Sequence, residues 1–147
     1  MSAQEVGSAV VQVARCWIGT PYLHQASVRG IGADCLGLVR GVWREFGGGE
    51  PERAPGYTAD WGEMGRDEML LDAASRHLVR RLDGDERSGD VLLFRMRAGG
   101  IAKHLGIAAE LGPAPTFIHA YSGHAVVESP LSEPWARRVV ARFGWPF

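Results

Sequence analysis

The feature that most constrains the fold is a change of pattern near residue 88. Before it, apolar residues recur at helical spacing. After it, the chain breaks into short β-rich runs (SGDVLLFRM, KHLGIAAEL, TFIHAYS, AVVES and RRVVARFGW) separated by Gly, Pro, Ser and Asp. Helices followed by strands of this kind predict an α+β domain with an antiparallel sheet. In the first part, the spacing of Val6, Val10, Val13 and Trp17 predicts a helix over residues 5–18, stopped by Gly19-Thr20-Pro21. A second helix is expected over 35–46, with Asp34 as N-cap and Gly47-Gly48-Gly49 as its end; Leu38, Val39, Val42, Trp43 and Phe46 form its buried stripe. Residues 22–33 read as irregular, 47–62 as a Pro/Gly-rich loop, and 67–79 as a third helix. No internal repeat or second domain is visible, so 1–147 is expected to be one domain, long enough to bury a core.

Composition removes several function classes. The net charge is −1 and the basic residues are scattered, so no nucleic-acid partner and no pull toward an anionic membrane are implied. No apolar run approaches the roughly 18 residues of a membrane helix, so membrane insertion is not expected. The N-terminal MSAQEVGSAVVQVARCW lacks the basic and long apolar regions of a secretory signal, which predicts synthesis in the cytoplasm. Cys16 and Cys35 do not make a disulfide framework. The histidines at 24, 77, 104, 119 and 124 lack zinc-site spacing, and there is no CxxC, HExxH, GxGxxG, Walker loop or GxSxG. Neither a metal nor a cofactor is expected.

What remains is Cys35 in GIGADCLGLVRGVW, with the histidines. A thiol in the first turn of a helix meets the positive end of the macrodipole and backbone N–H groups, which favour thiolate and can also hold an oxyanion. From position alone Cys35 is either such an activated nucleophile or a small packed apolar residue. Cys16, late in an amphipathic helix, reads as packing. A nucleophile needs a base, and the base an orienting partner. His104 begins one expected strand and His119 lies on the next, so antiparallel pairing would bring the imidazoles side by side. One would take the thiol proton and the other would hold its tautomer. His124 reads as a turn residue, His77 as a solvated helix face, and His24 as a cleft-lining residue without a role.

Taken together, GTPYLHQASVRGIGADCLGLVRGVW, SGDVLLFR, KHLGIAAE and FIHAYS resemble the NlpC/P60 cysteine peptidases, from about Trp17 to Ser122. They are most similar to the phage-type branch found in tail proteins and gene transfer agents. The resemblance implies a papain-like α+β core, with helices carrying the cysteine packed on a sheet carrying the histidines. It implies Cys35 as nucleophile, His104 as base and His119 as the residue that orients it. Tyr22 and Asp34 match the pair that meets a substrate amine in some members. The implied substrate is a peptide or isopeptide bond of peptidoglycan stem peptides. The implied partners are phage-like tail-tip or hub proteins that carry the enzyme to the periplasm or cell wall as a virion component. The chain departs from the family pattern in having Leu36 where a serine is usual, His24-Gln25 in place of Trp-Gly-Gly, and a turn extended by Gly112-Pro113-Ala114-Pro115. These departures bear on substrate identity. The rival readings are acyl-transfer or amidase chemistry at the same thiol, and a structural tail-hub component whose thiol site is vestigial.

Overall fold

The computed structural model of the protein describes residues 1–52 and 68–147. Helix α1 (Ala3–Cys16) opens with a capping box, in which the Ser2 hydroxyl accepts from the Glu5 N–H while the Glu5 carboxylate accepts from the Ser2 N–H. It ends two residues before the predicted limit, so Trp17 turns inward just beyond the helix. The stretch expected to be irregular contains a small hairpin, β1 (Ser27–Val28) paired antiparallel with β2 (Gly32–Ala33). Helix α2 (Cys35–Gly47) follows at once, capped by Asp34 and ended by Gly48, whose φ of 76° suits glycine. Helix α3 (Met69–His77) is shorter than predicted, and Asp67 lies outside the described residues. Most of the loop expected over 47–62 is also outside them; Glu50 and Glu52 at its start are tied to Arg40 and Arg44 and to Arg76. His77 is half-buried beside Glu52, 3.3 Å away, rather than on a solvated face.

The second half builds a six-stranded antiparallel sheet from β3 (Val79–Arg80), β4 (Val91–Arg95), β5 (Ala102–Ala108), β6 (Thr116–Ala120), β7 (Val126–Pro130) and β8 (Val139–Gly144), with a short helix α4 (Glu133–Ala136) before the last. The order across the sheet is β3-β8-β4-β5-β6-β7. All five β-rich runs become strands, and the α+β architecture is as expected.

Both faces of the sheet are covered, which explains why β4 reads as an unbroken apolar run rather than an alternating one. Val91 and Leu93 face α1 and α2 in a core with Val10, Ala14, Leu38, Val42, Leu105, Ile107, Ile118 and Phe143. Leu92 and Phe94 face the other way, onto Phe117, Ala108 and the half-buried Trp135 of α4. The helices pack closely because α2 carries glycine where it meets α1: a Cβ at Gly41 would run into the Trp17 ring. Opposite the helices, the buried Asp90 carboxylate accepts from Arg81, Arg142 and the Arg87 N–H, locking β8 and the approach to β4 together. No helix among the described residues is long and apolar enough to cross a membrane.

Candidate active site

The start of α2 is held by its own cap. The Asp34 carboxylate is 2% exposed. One oxygen accepts from the Gly37 N–H at 2.7 Å and the other from the Gln25 N–H at 2.7 Å. One aspartate thus ends the preceding loop and begins the helix. Gln25 takes a left-handed φ of 64°, uncommon for a residue with a Cβ. The Ala26 carbonyl lies so close to Gly37 that a Cβ there would collide with it. Pro21 and Tyr22 lie against Ala33, with the Ala33 N–H donating to the Pro21 carbonyl at 3.0 Å and the Leu23 N–H to the Ala33 carbonyl at 3.2 Å. This sets Tyr22 beside Cys35 and Asp34, where burial first, then those two groups, raise the pKa of its phenol.

The sheet opens to receive the thiol. Strands β5 and β6 are in register only at Ile107↔Ile118 and Ala108↔Phe117. Toward the start of β5 the helix end takes over. The Cys35 thiol lies 3.9 Å from the Lys103 carbonyl, and the Leu105 N–H also reaches the sulfur. Those two peptide groups flank His104. The N–H groups of Cys35 and Leu36 join the Leu105 N–H in favouring thiolate, as expected at a helix start. They do not win. Burial, and after it the Asp34 carboxylate alongside, push the thiol up to about 12. The expectation of a depressed thiol pKa is therefore corrected, because desolvation by the packed sheet outweighs the donors of one helix turn.

His104 and His119 meet as the hairpin argument anticipated, though not directly opposite each other. Continuing the β5–β6 ladder would set Gly106 against His119 and Tyr121 against His104, so the imidazoles meet on the diagonal. His104 Nε2 and His119 Nδ1 are 2.9 Å apart, both side chains nearly lost to solvent. Burial, then the neighbouring His119, hold His104 down at about 3. Burial, then the charge of His124, hold His119 down at about 4. Both imidazoles are therefore neutral near pH 7. Aromatic rings box them in: Trp135 lies 5.6 Å from His104 and 5.2 Å from His119, and Phe117 stacks on His119 at 4.1 Å.

The remaining residues sort by place. His24 is half-buried, with Nδ1 3.9 Å from Asp34. His124 is exposed and stacks on Tyr121. Cys16, expected to pack, is exposed at the end of α1, one position off the apolar stripe that Val10 and Trp17 follow. Two residues escaped the sequence. Ser129 on β7 has its hydroxyl 3.0 Å from His119 Nε2. Trp135 sits on a four-residue helix too short to leave a periodic signal. A serine alternating in a strand is ordinary; only the pairing of β6 with β7 brings it to the imidazole.

No curated protein matches the chain. Several solved structures share its fold. An NlpC/P60 family protein from Bacillus cereus ATCC 10987 has a TM-score of 0.64 at 18% identity, over 92% of this chain and 39% of that one. The NlpC/p60 domain of the peptidoglycan hydrolase SagA has a TM-score of 0.60 at 24% identity, over 94% of this chain and 97% of that domain. NlpC2 from Trichomonas vaginalis has a TM-score of 0.67 at 19% identity, over 95% of this chain and 46% of that one. The chain thus spans less than half the length of two of these three proteins. Residues 19–143, from the loop before the cysteine to the last strand, match the pattern of one family throughout, and the chain belongs to the NlpC/P60 family.

Proposed function

We propose that the protein is a cysteine endopeptidase that cleaves a peptide or isopeptide bond of peptidoglycan stem peptides through an acyl-enzyme. The observation that carries this reading is the contact of the Cys35 sulfur with the peptide groups on either side of His104, whose Nε2 is committed to His119. That commitment leaves Nδ1 of His104 to take a proton from the thiol. Membership of the family, and likeness to one domain described as belonging to a peptidoglycan hydrolase, support the substrate class.

The resting pair is neutral, with the thiol pushed up to about 12 and His104 held near 3. Thiolate therefore forms during attack rather than before it. The Sγ–H proton passes to His104 Nδ1 as sulfur bonds to the substrate carbonyl carbon. Negative charge develops on the carbonyl oxygen near the first-turn N–H groups of α2, at the positive end of its dipole. The imidazolium returns the proton to the leaving amine as the C–N bond breaks. Water, deprotonated by His104, then cleaves the thioester, and sulfur recovers its proton. Tyr22 contributes to the substrate side of the cleft. Asp34 acts indirectly, because both its oxygens are bound to backbone N–H groups and hold the loop that carries Tyr22.

The deciding experiment is mass spectrometry of purified peptidoglycan fragments incubated with wild type and with Cys35→Ala. A product from wild type alone supports the reading, and its mass names the bond. No product from either, on several envelope chemistries, removes it. The likeness of the sequence to the phage-type branch supports the further assignment to a phage-like tail tip or hub. Antibody detection of the chain in purified tail particles tests that assignment, and its absence from them overturns it.

A further inference from the structure

A histidine that orients another histidine carries a difficulty that an aspartate in the same position would not. A carboxylate only accepts, so it fixes the proton on its partner. An imidazole both donates and accepts, and nothing intrinsic to it selects the tautomer. His119 meets His104 Nε2 through Nδ1. If His119 carried its proton on Nδ1, it would donate to His104 Nε2. The His104 proton would then sit on Nδ1, the nitrogen that the proposed mechanism assigns to the thiol, and the base would have no lone pair to offer. Only the Nε2–H form of His119 gives a working pair. In that form, His104 Nε2–H donates to His119 Nδ1, and His119 must dispose of its own Nε2–H inside the protein.

The partner for that N–H is on the next strand. Ser129 Oγ lies 3.0 Å from His119 Nε2. The contact is built in by the ladder, which pairs Phe117 with Ser129 and His119 with Val127, so the serine reaches the imidazole diagonally on the same face. The His119 ring has little freedom to escape it, stacked on Phe117 at 4.1 Å and bordered by Trp135 at 5.2 Å. His119 is 2% exposed, so its Nε2–H has no bulk water to turn to and would incur the cost of a buried, unmatched donor without the serine.

We infer that Ser129 is a positioning residue: its hydroxyl accepts from His119 Nε2–H and so keeps the Nδ1 lone pair of His104 free for the thiol. The relay runs from His104 Nε2–H to His119 Nδ1, then from His119 Nε2–H to Ser129 Oγ. When His104 takes the thiol proton, all these hydrogen bonds keep their direction and shorten with the charge, and no second proton has to move. The inference deepens the peptidase reading and rests on it for its kinetic consequence, but not for its structural one.

The test is histidine-labelled 1H–15N NMR of the side chains at pH 7, run on wild type, Ser129→Ala, Ser129→Cys and Ser129→Thr. Cysteine keeps the volume with a poor acceptor; threonine keeps the hydroxyl. In wild type and Ser129→Thr, His119 is expected to be a single species protonated at Nε2. In Ser129→Ala and Ser129→Cys that signature gives way to a mixture with the Nδ1–H form. On stem peptides, kcat of these two falls roughly ten- to a hundredfold at unchanged KM, short of the about 10⁴-fold that a wholly wrong tautomer costs in a serine–histidine–aspartate triad. Ser129→Thr restores it. A folded Ser129→Ala or Ser129→Cys in which His119 remains solely the Nε2–H species overturns the inference. A wild type that cleaves no peptidoglycan overturns the peptidase reading instead, and the tautomer comparison still decides the role of Ser129.

Discussion

Cys16 closes one helix and Cys35 opens the next, and their surroundings differ in almost every respect. The first is exposed, and its neighbour Arg15 is engaged with Glu110, just past β5, and with Glu128 on β7. The second is half-buried, with helix N–H groups on one side and the start of β5 on the other. The contrast separates two properties that are easily merged. Accessibility to a small reagent belongs to Cys16. Contact with the peptide groups that flank His104 belongs to Cys35, and it comes with burial that opposes ionisation. In the mechanism proposed above, such a thiol is activated by its substrate rather than by its resting charge.

The strongest way to break the comparison is to exchange the two thiols' fates. Cys35→Ala should abolish cleavage of stem peptides, a loss of at least about 10³-fold in kcat, as expected when a nucleophile is removed. Cys16→Ala should leave kcat and KM unchanged. Equal losses from both would erase the distinction. Removing the proposed base should come next in size: His104→Ala is expected to lower kcat by about 10²- to 10⁴-fold, the range for a general base, as read by single-turnover kinetics.

Alkylation sharpens the same contrast without substrate. Because the thiol is pushed up to about 12, Cys35 should react with iodoacetamide at pH 7 more slowly than the exposed Cys16, as read by peptide mass spectrometry. Faster labelling of Cys35 would mean a thiolate–imidazolium pair already formed at rest.

The histidines add a pH signature to the sheet side of the site. Their folded pKa values, about 3 and about 4, lie below the 6.5 of the unfolded chain. The unfolded state therefore binds more protons between those limits, so stability is fully present above about pH 6.5 and is lost as pH falls toward 4 and 3. The melting temperature should drop across that window, and His104→Gln should flatten the drop. The smallest effect is expected at the cap: Asp34→Ala removes an acceptor from two backbone N–H groups and should cost about 1–3 kcal/mol in urea denaturation.

How much of this could be read in advance varied with the range of the interactions. The start of α2 was legible because Asp34, the glycines and the apolar stripe are all local signals. The strands were legible because each run is long enough to show its composition. The β1–β2 hairpin was not, since two-residue strands have no periodicity to detect. The exposure of Cys16 was within reach, for position 16 is out of phase with Val10 and Trp17. The thiol's raised pKa was not, because it depends on β5, which lies 68 residues away at Lys103. Ser129 was hidden for a similar reason: its meaning comes from which strand lies beside β6.

The partial ladder between β5 and β6 has a bearing on when the proposed activity would arise. The sulfur arrives with the helical layer, while the imidazoles belong to the sheet, and the sulfur reaches the sheet at the peptide groups flanking His104, where β5 and β6 are not paired. Such distant contacts form late, because the intervening loop must be closed before they give any return. A nascent or half-docked chain thus contains every reactive group and no working site. If the chain is the peptidase proposed, its competence would depend on the docking of α2 against β5, a safeguard built from tertiary contacts alone.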